Sequence, residues 1–334
     1  MSGANKMIPP KELLRFLKKE NDFVIATHIS PDGDALGSSL ALSMALESLG
    51  KKTMVYDKDP VPEFYKFLPG SERFIDSISN LINPPIPPLA KGGEEGLWNL
   101  ILLDCNDTER AGIEKLQFAS SAVIDHHETA RDFGDIKWID PKSPATGQMI
   151  FCLIKELGVN VTKEIAVNLY SAIAIDTGTF RYSNTTPDVL RVSAELVEAG
   201  ANPSYIAENI YETWTDSRFR LLMKVLNTLE IYNDIAITQV TLEMFRETGA
   251  AIADTETFPG FPRKLRSIKI SALFREIENN YYKISLRSKG RGINVAKIAE
   301  MFGGGGHSNA AGYKIRSDLK AAKEALLKAV RERT

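Results

Sequence analysis

The stretch HISPDGDALG, residues 28–37, places His28, Asp32 and Asp34 in one short segment. Imidazole and carboxylate groups at this density can bind a divalent cation or transfer protons. A polar turn would account for one aspartate, and for this stretch alone a turn is the favoured interpretation. A calcium-binding EF-hand loop does not fit, because the twelfth position counted from Asp32 is Ser43 and not glutamate.

Three further groups of the same residue types follow along the chain. Asp104 ends the run LLD, the tripeptide DHH supplies Asp125, His126 and His127, and Asp176 ends the run AIAID. The chain has only four histidines, and each lies beside an Asp or Gly cluster. Carboxylates gathered without a lysine repel one another, and bound divalent cations relieve that repulsion. Mixed Asp and His ligands favour Mn²⁺ or a similar ion over ions that prefer thiolates.

Short apolar runs alternate with helical periodicity in the N-terminal part. Strands are predicted at 22–27, 52–56, 98–104 and 121–125, and helices at 34–49, 145–157 and 162–175. This alternation predicts an α/β fold with an N-terminal doubly wound, mostly parallel sheet. Ligands bind such sheets at the carboxyl ends of the strands, where His28, Asp104 and the DHH tripeptide fall. Explaining each group separately as a turn or a cap would require several coincidences at one edge, so metal binding is favoured.

A second, smaller α/β unit is predicted after a mostly helical stretch that ends near residue 229. Its strands are DIAITQV, SIKISALFRE and YYKISLRS, and Asn294 is expected to cap a helix over 294–302. Arg287 ends the last of these strands, and an ordinary exposed position explains it equally well. A glycine run before His307 could let backbone N–H groups approach an anion, with a flexible helix stop as the alternative. The glycines are Gly303, Gly304, Gly305 and Gly306.

Length and composition restrict the classes of function. A chain of 334 residues predicts two domains, and its net charge of −2 offers no overall basic field for long nucleic acid. Two cysteines, Cys105 and Cys152, cannot form a disulfide scaffold. With neither a signal-like segment nor a membrane-spanning run, the sequence predicts a soluble, cytoplasmic protein that does not bind membranes.

Three other features can be explained by packing, capping or loop structure. Cys105 is interpreted as a packed side chain, because no Cys–His pair has a recognisable catalytic spacing. Asp107 and Arg110 could contact substrate, with helix capping or salt bridging as alternatives. The segment 83–96 is rich in Pro and Gly and predicts an exposed loop.

The motifs together resemble those of a known family. HISPDGDALGS, LLDCND, VIDHHET and AIAIDTGTFRYSNTT resemble, in order, the four motifs of the DHH phosphoesterases. SLRS and GGGGHSNAAG resemble the DHH-associated C-terminal domain that accompanies one branch of that family. The layout is similar to that of NrnA-type bifunctional oligoribonucleases and phosphatases of 3′-phosphoadenosine 5′-phosphate (pAp). The resemblance implies a DHH catalytic domain over 1–192, a helical linker over 193–217 and a substrate-binding domain over 218–334.

The resemblance also implies a site with two divalent ions, Mn²⁺ first, with Mg²⁺ or Co²⁺ as alternatives. His28 and Asp32 would bind one ion, Asp34 and His126 the other, and Asp104 and Asp176 would bind or bridge both. Asp125 would orient a ligand, and His127 would face the scissile phosphate. Arg287, the glycines 303–306 and His307 would hold the nucleotide of the substrate.

The implied activity is hydrolysis of short oligoribonucleotides to mononucleotides and of pAp to AMP. Hydrolysis of cyclic di-AMP or of its linear product pApA is the alternative, since the metal residues do not separate these substrates. A pyrophosphatase fits less well, because its C-terminal domain lacks the GGGGH loop. A catalytically inactive nucleotide sensor is disfavoured because every expected ligand is present. Long strands are not expected as substrates, and the sequence leaves a homodimer open.

Overall fold

The computed structural model describes residues 7–78, 98–113, 116–127, 133–289 and 292–333. The chain divides into two compact units, Met1–Thr213 and Trp214–Thr334, and the division falls inside the segment predicted as a helical linker. The loop predicted at 83–96 lies outside the described residues. Among the described residues, none of the helices combines the length and the apolar character needed to cross a membrane.

The first unit is built on a parallel sheet. Its strands are β1 (Asp22–Ala26), β2 (Lys52–Tyr56), β3 (Phe74–Ile75), β4 (Asn99–Leu103), β5 (Ser121–Asp125) and β6 (Ile136–Ile139). Its helices are α1 (Lys11–Lys19), α2 (Gly33–Ser48), α3 (Thr108–Ala111), α4 (Thr146–Glu156), α5 (Lys163–Asp176), α6 (Pro187–Glu198) and α7 (Pro203–Tyr211). The strand order is β3-β2-β1-β4-β5-β6, with every neighbouring pair parallel. The predicted α/β fold is therefore confirmed.

The strands of this sheet are buried on both faces. Phe23 and Ile25 of β1 pack into one apolar cluster, whereas Val24 and Ala26 pack into another on the opposite face. Side chains that alternate between two buried faces explain why these strands appear in the sequence as continuous apolar runs. The larger cluster is formed with the helices, and α2 is buried along most of its length.

Close contacts between three helices depend on glycine. A Cβ atom at Gly37 of α2 would lie 2.4 Å from the carbonyl oxygen of Asn168 in α5. A Cβ atom at Gly147 of α4 would lie 2.6 Å from Cβ of Ala172, also in α5. A Cβ atom at Gly33 would likewise clash, in this case with the side chain of Ile175. The small residues let α2, α4 and α5 approach closely and bring their ends to one edge of the sheet.

The second unit is a mixed sheet with helices. Its strands are β7 (Glu230–Tyr232), β8 (Ile235–Val240), β9 (Ile270–Glu278), β10 (Tyr281–Ser288), β11 (Gly305–His307) and β12 (Ala310–Arg316). Its helices are α8 (Asp216–Leu226), α9 (Leu242–Thr248), α10 (Val295–Glu300) and α11 (Leu319–Arg333). The order is β11-β12-β10-β9-β8-β7, and only β8 and β9 run parallel.

The two faces of this second sheet are covered differently. On one face, α10 and α11 complete an apolar cluster with side chains from β8, β9, β10 and β12. On the other face, residues of α8 and α9 pack on Val240 and Leu273, which belong to β8 and β9. The predicted cap of α10 is confirmed, since the Asn294 side chain accepts hydrogen bonds from the backbone N–H groups of Ala296 and Lys297 at 3.0 and 3.3 Å.

Replacing Gly37 with alanine tests the helix packing. We expect Gly37→Ala to lower the free energy of unfolding by about 1–3 kcal/mol, because the added methyl group forces α2 away from α5. Urea unfolding followed by circular dichroism measures the change. The control is Gly260→Ala, where a Cβ atom would have nothing closer than 4.0 Å. Equal stability of the two variants would contradict close helix contact at Gly37.

Candidate metal centre

The candidate site lies where the strand order of the first sheet reverses. β1 and β4 are neighbours, and their carboxyl ends lead to His28 and Asp104. Such a reversal leaves a crevice at the strand ends, which is the usual ligand position in open α/β sheets. Asp104 has a positive φ of 55°, a left-handed conformation that aspartate tolerates better than most residues. This conformation turns the chain sharply at the end of β4.

Three groups of potential ligands share the Asp104 carboxylate, and the ligand atoms of each group lie within 4.8 Å of one another. His28 and Asp32 form the first group with Asp104, and Asp34 and His126 form the second. Asp125 and His127 form the third. His28 Nε2 lies 3.5 Å from Asp104 Oδ2, and His126 Nε2 lies 3.3 Å from Asp104 Oδ1. Adjacent ligands of an octahedral ion bound at about 2.1 Å are roughly 3 Å apart, so these separations are close to those of a metal site.

Asp176 reaches the second of these groups from the end of α5. Its Oδ2 atom lies 3.2 Å from His126 Nε2, and Asp34 Oδ2 lies 3.6 Å from the same nitrogen. The chain after Asp176 is held in an unusual shape, with positive φ at Gly178, Thr179 and Phe180. A β-branched residue such as threonine rarely adopts this conformation, and strain of this kind is frequent near functional sites.

The two ligand histidines have one nitrogen beside a backbone carbonyl. His28 Nδ1 lies 3.1 Å from the Ile29 carbonyl oxygen, and His126 Nδ1 lies 3.1 Å from that of Ser143. A neutral imidazole that donates from Nδ1 keeps its lone pair on Nε2, and in both residues Nε2 faces carboxylate oxygens. Metal-binding histidines are commonly oriented in this way. The donor set therefore fits a divalent cation.

Burial and mutual repulsion disfavour the ionised form of several carboxyl groups. Burial, followed by the charges of Asp104 and Asp176, raises the pKa of Asp34 well above its usual range. The same causes raise the pKa of Asp32 to about 6. Burial would also raise the pKa of Asp104, but its hydrogen bonds with His126 and His28 outweigh that effect and lower it. A bound cation would let these carboxylates ionise together.

Asp32 combines a structural contact with its position in the cluster. Its Oδ1 atom accepts hydrogen bonds from the backbone N–H groups of Asp34 and Ala35, at 3.0 and 3.1 Å, and so caps α2. A carboxylate has acceptor capacity beyond these two bonds, so capping does not exclude metal binding. Asp32 therefore caps the helix, and its role as a metal ligand stays a prediction.

Asp125 and His127 are hydrogen-bonded to each other beside the groups that contain His28 and His126. Asp125 Oδ1 accepts hydrogen bonds from the backbone N–H and the Nδ1 of His127, at 3.2 and 2.7 Å, and the Asn106 amide donates to Oδ2. Burial raises the pKa of Asp125, but the bond from His127 outweighs it and the net change is downward. These contacts hold the His127 ring with Nδ1 directed at Asp125.

Residues at the start of α4 support the carboxylates, and they were not predicted from the sequence. Asp34 accepts hydrogen bonds from the backbone N–H groups of Thr146 and Gly147, at 2.7 and 2.8 Å, and from the Ser38 hydroxyl at 3.1 Å. The Thr146 hydroxyl donates to Asp104 Oδ1 at 2.9 Å. The helix N-terminus thus stabilises negative charge at the cluster. The only signal in the sequence was the helix predicted over 145–157, which begins with Ala-Thr-Gly.

Asp57 was also missed, although it follows β2 as Asp104 follows β4. Its side chain is buried, Oδ1 accepts a hydrogen bond from the Asp59 backbone N–H at 2.8 Å, and burial raises its pKa to about 7. The charge of His28 partly offsets this increase. The strand KTMVY was predicted correctly, so the residue after it could have been placed at the same edge.

The less specific candidates have structural contacts, and a contact of Asp107 or Arg110 with substrate stays a prediction. Cys105 is fully buried, and burial raises the pKa of its thiol to about 12, which agrees with a packed side chain. Asp107 caps α3 by accepting a hydrogen bond from the Glu109 backbone N–H at 2.9 Å. Arg110 is exposed, and its carbonyl oxygen accepts a hydrogen bond from the Ile29 backbone N–H at 2.8 Å.

Two of the predicted substrate residues of the second unit share one face of its sheet. Arg287 in β10 and His307 in β11 both pair with Ala310 of β12, and paired residues of antiparallel strands project to the same face. The next row on this face is Ser285, Gly312 and Gly305. Arg287 and His307 therefore border a floor of small residues.

The glycine run forms an edge of this sheet. A Cβ atom at Gly304 would lie 2.1 Å from the Gly312 carbonyl oxygen, and Gly306 has a φ of 138° and packs on Ala310 and Ala311. Close approach to β12 therefore explains two of the four glycines. Gly303 and Gly305 have open space around the Cβ position.

Comparisons with known proteins agree with this arrangement. A model of the DHH family, N-terminal domain, matches residues 22–173, and a model of the DHHA1 domain matches residues 239–334. A Thermus thermophilus protein named bifunctional oligoribonuclease and PAP phosphatase NrnA is 39% identical over 315 residues, covering 94% of this chain and 90% of the relative. A Bacillus subtilis protein of the same name is 27% identical over 322 residues, covering 92% and 93%. The crystal structure of an exopolyphosphatase-related protein from Bacteroides fragilis is similar with a TM-score of 0.83 and 28% identity, covering 96% and 95%.

Replacing Thr146 tests the support of the cluster. We expect Thr146→Val to weaken binding of a divalent cation by about 10–100-fold, because it removes the hydroxyl that orients Asp104 and leaves the shape of the side chain nearly unchanged. Isothermal titration with Mn²⁺ measures the affinity. Thr146→Ser keeps the hydroxyl and serves as the control. Equal affinities for valine and serine would show that the hydroxyl does not position Asp104 for an ion.

Proposed function

This chain belongs to the DHH family, and we propose that it hydrolyses short oligoribonucleotides to mononucleotides and dephosphorylates pAp to AMP. The observation that carries the proposal is the set of His/Asp groups that share Asp104 at the strand reversal. The names of the Thermus and Bacillus relatives supply the substrate classes. A hydrolase of phosphoesters needs a site that binds a phosphoryl group and activates water, and such a cluster suits both tasks.

In this proposal two divalent ions, Mn²⁺ first, occupy the site. His28 and Asp32 would hold one ion, Asp34 and His126 would hold the other, and Asp104 and Asp176 would hold both. When bound, two such ions activate the attacking water and stabilise charge on the phosphoryl oxygens. The support is the ligand spacing and the orientation of both imidazole rings. Asp34 and Asp104 are also held by α4, which fixes the distance between the two groups.

His127 acts on the substrate in this proposal. The hydrogen bonds to Asp125 fix its ring and favour a proton on Nδ1 in the neutral form. Protonated at both nitrogens, the ring can donate from Nε2 to a phosphoryl oxygen or to the leaving oxygen. Asp125 would orient the ring, since its carboxylate lies 2.7 Å from Nδ1.

The second unit holds the nucleotide part of the substrate in this proposal. Arg287 would bind a phosphate, His307 would hydrogen-bond the same ligand, and the glycines 303–306 would let it lie close to the backbone. The floor of small residues between the two side chains leaves room for a base or a ribose. The net charge of −2 agrees with small ligands held by local contacts.

Replacing the shared carboxylate tests the site. We expect Asp104→Asn to reduce turnover of pAp and of a dinucleotide to the uncatalysed background, because both ligand groups lose a charged member. Product release measured by anion-exchange chromatography gives the rates, and circular dichroism checks folding. Asp188→Asn, an exposed position in α6, removes one carboxylate elsewhere and should keep wild-type turnover. Activity of Asp104→Asn near the wild-type rate would exclude Asp104 from the site.

A panel of substrates tests the proposed specificity. With Mn²⁺ present, the purified chain is incubated separately with pAp, a labelled dinucleotide, a 24-nucleotide RNA, cyclic di-AMP and pApA. We expect pAp and the dinucleotide to be consumed first, because the net negative chain has no overall basic field for a long strand. Faster turnover of the 24-nucleotide RNA would contradict a short-substrate enzyme. A clear preference for cyclic di-AMP would assign the alternative activity.

A further inference from the structure

A row of cations crosses one face of the second sheet. Lys283 of β10 pairs with Arg275 of β9 on one side and with Lys314 of β12 on the other. Directly paired residues of antiparallel strands project to the same face, and neighbouring strands lie about 4.8 Å apart. Three positively charged side chains therefore stand side by side at one register. We call Arg275, Lys283 and Lys314 the cation row.

The cation row lies on the same face as Arg287. Burial alternates along β10, so that Tyr282, Ile284 and Leu286 point into the apolar cluster and the residues between them point the other way. Lys283 and Arg287 are four residues apart on that outer face, about 14 Å along the strand. Only small residues, Ser285 and Gly312, occupy the row next to Arg287 on β10 and β12.

This part of the face is not covered by the apolar cluster that includes α8 and α9. That cluster uses Val240 and Leu273 from the sheet, and among the described residues it takes none from β10 or β12. Lys314 is exposed, and Arg275 and Lys283 are half-buried. Lys314 is therefore accessible to a ligand that lies along β10 and β12, and Arg275 and Lys283 are accessible in part.

Arg275 and Lys314 differ from Arg316, the nearest cation beyond the row, in whether a carboxylate balances their charge. Arg316 forms an ion pair with Glu278 at 3.4 Å and stacks on Tyr281, with its guanidinium carbon 4.5 Å from the ring centroid. In contrast, no ion pair between described residues involves Arg275 or Lys314. Like charges directly opposite one another destabilise a sheet, so the row does not gain its stability from contacts among its own members. An anion that bridges the row would offset this repulsion.

We propose that the cation row binds the phosphates of an oligoribonucleotide beyond the nucleotide held at Arg287 and His307. This inference rests on the proposed function and adds a subsite to it. A nucleotide bisphosphate held at Arg287 has no phosphate about 14 Å away along the strand. An oligonucleotide of several residues does, and its backbone would extend over the small residues toward Lys283. The row therefore separates the two substrate classes, because it contributes to RNA binding and not to pAp binding.

Binding of RNA without turnover provides the test. The full chain, freed of divalent ions, is titrated with a 5′-fluorescein pentanucleotide and followed by fluorescence anisotropy over a range of salt. We expect Arg275→Gln/Lys314→Gln to raise the Kd about three- to tenfold and to reduce the slope of log K against log salt by about 0.7 for each phosphate that the variant no longer neutralises. The KM for pAp, measured with Mn²⁺, should stay within about twofold of the wild-type value, because pAp does not reach the row.

The matched control is Lys297→Gln/Lys320→Gln, which removes two exposed cations from α10 and α11 on the opposite side of the sheet. It should leave the Kd and the salt slope unchanged. The melting temperature of the row variant should equal or exceed that of the wild type, since repulsion is removed. A Kd equal to that of the control, a parallel rise in the KM for pAp, or a lower melting temperature would overturn the proposal. Lack of any wild-type turnover would instead contradict the proposed function, independently of the anisotropy result.

Discussion

The first unit depends on holding several carboxylates together where little water reaches them. Asp34 and Asp104 are buried side by side with two imidazole rings, an arrangement that repels itself unless positive charge is present. The backbone offsets part of this repulsion, because the N-terminus of α4 directs two N–H groups at Asp34. A parallel sheet makes the arrangement accessible, since strands from distant parts of the chain all end at one edge.

Many of the residues at this edge could be predicted from the sequence, because they directly follow predicted strands. His28, Asp104 and Asp125 each lie at or just after the end of a short apolar run, so predicting the strands also predicts where these residues gather. Thr146 and Gly147 could not be found in this way, because their contacts with Asp34 span more than one hundred residues of chain. Periodicity places a helix in sequence but does not indicate which end meets which carboxylate.

In the second unit as well, part of the arrangement could not be predicted from the sequence. Its strands were predicted, but the pairing of Lys283 with both Arg275 and Lys314 depends on register, which no single strand encodes. The glycine run is predicted to approach an anion, and the close approach of two of its members to β12 could not be predicted from the sequence. Apolar side chains seal one face of this sheet, whereas the other face is apolar beneath α8 and α9 and carries the cation row on β9, β10 and β12.

The contact of three helices through Gly37 and Gly147 has a consequence for ion choice. α2 carries Asp34, α4 carries the donors that hold it, and α5 ends in Asp176, so the width of the cluster follows the separation of the helices. That separation is set by missing methyl groups in the hydrophobic interior. If an ion binds as proposed, selection among ions of different radius would depend on interior volume as well as on ligand chemistry.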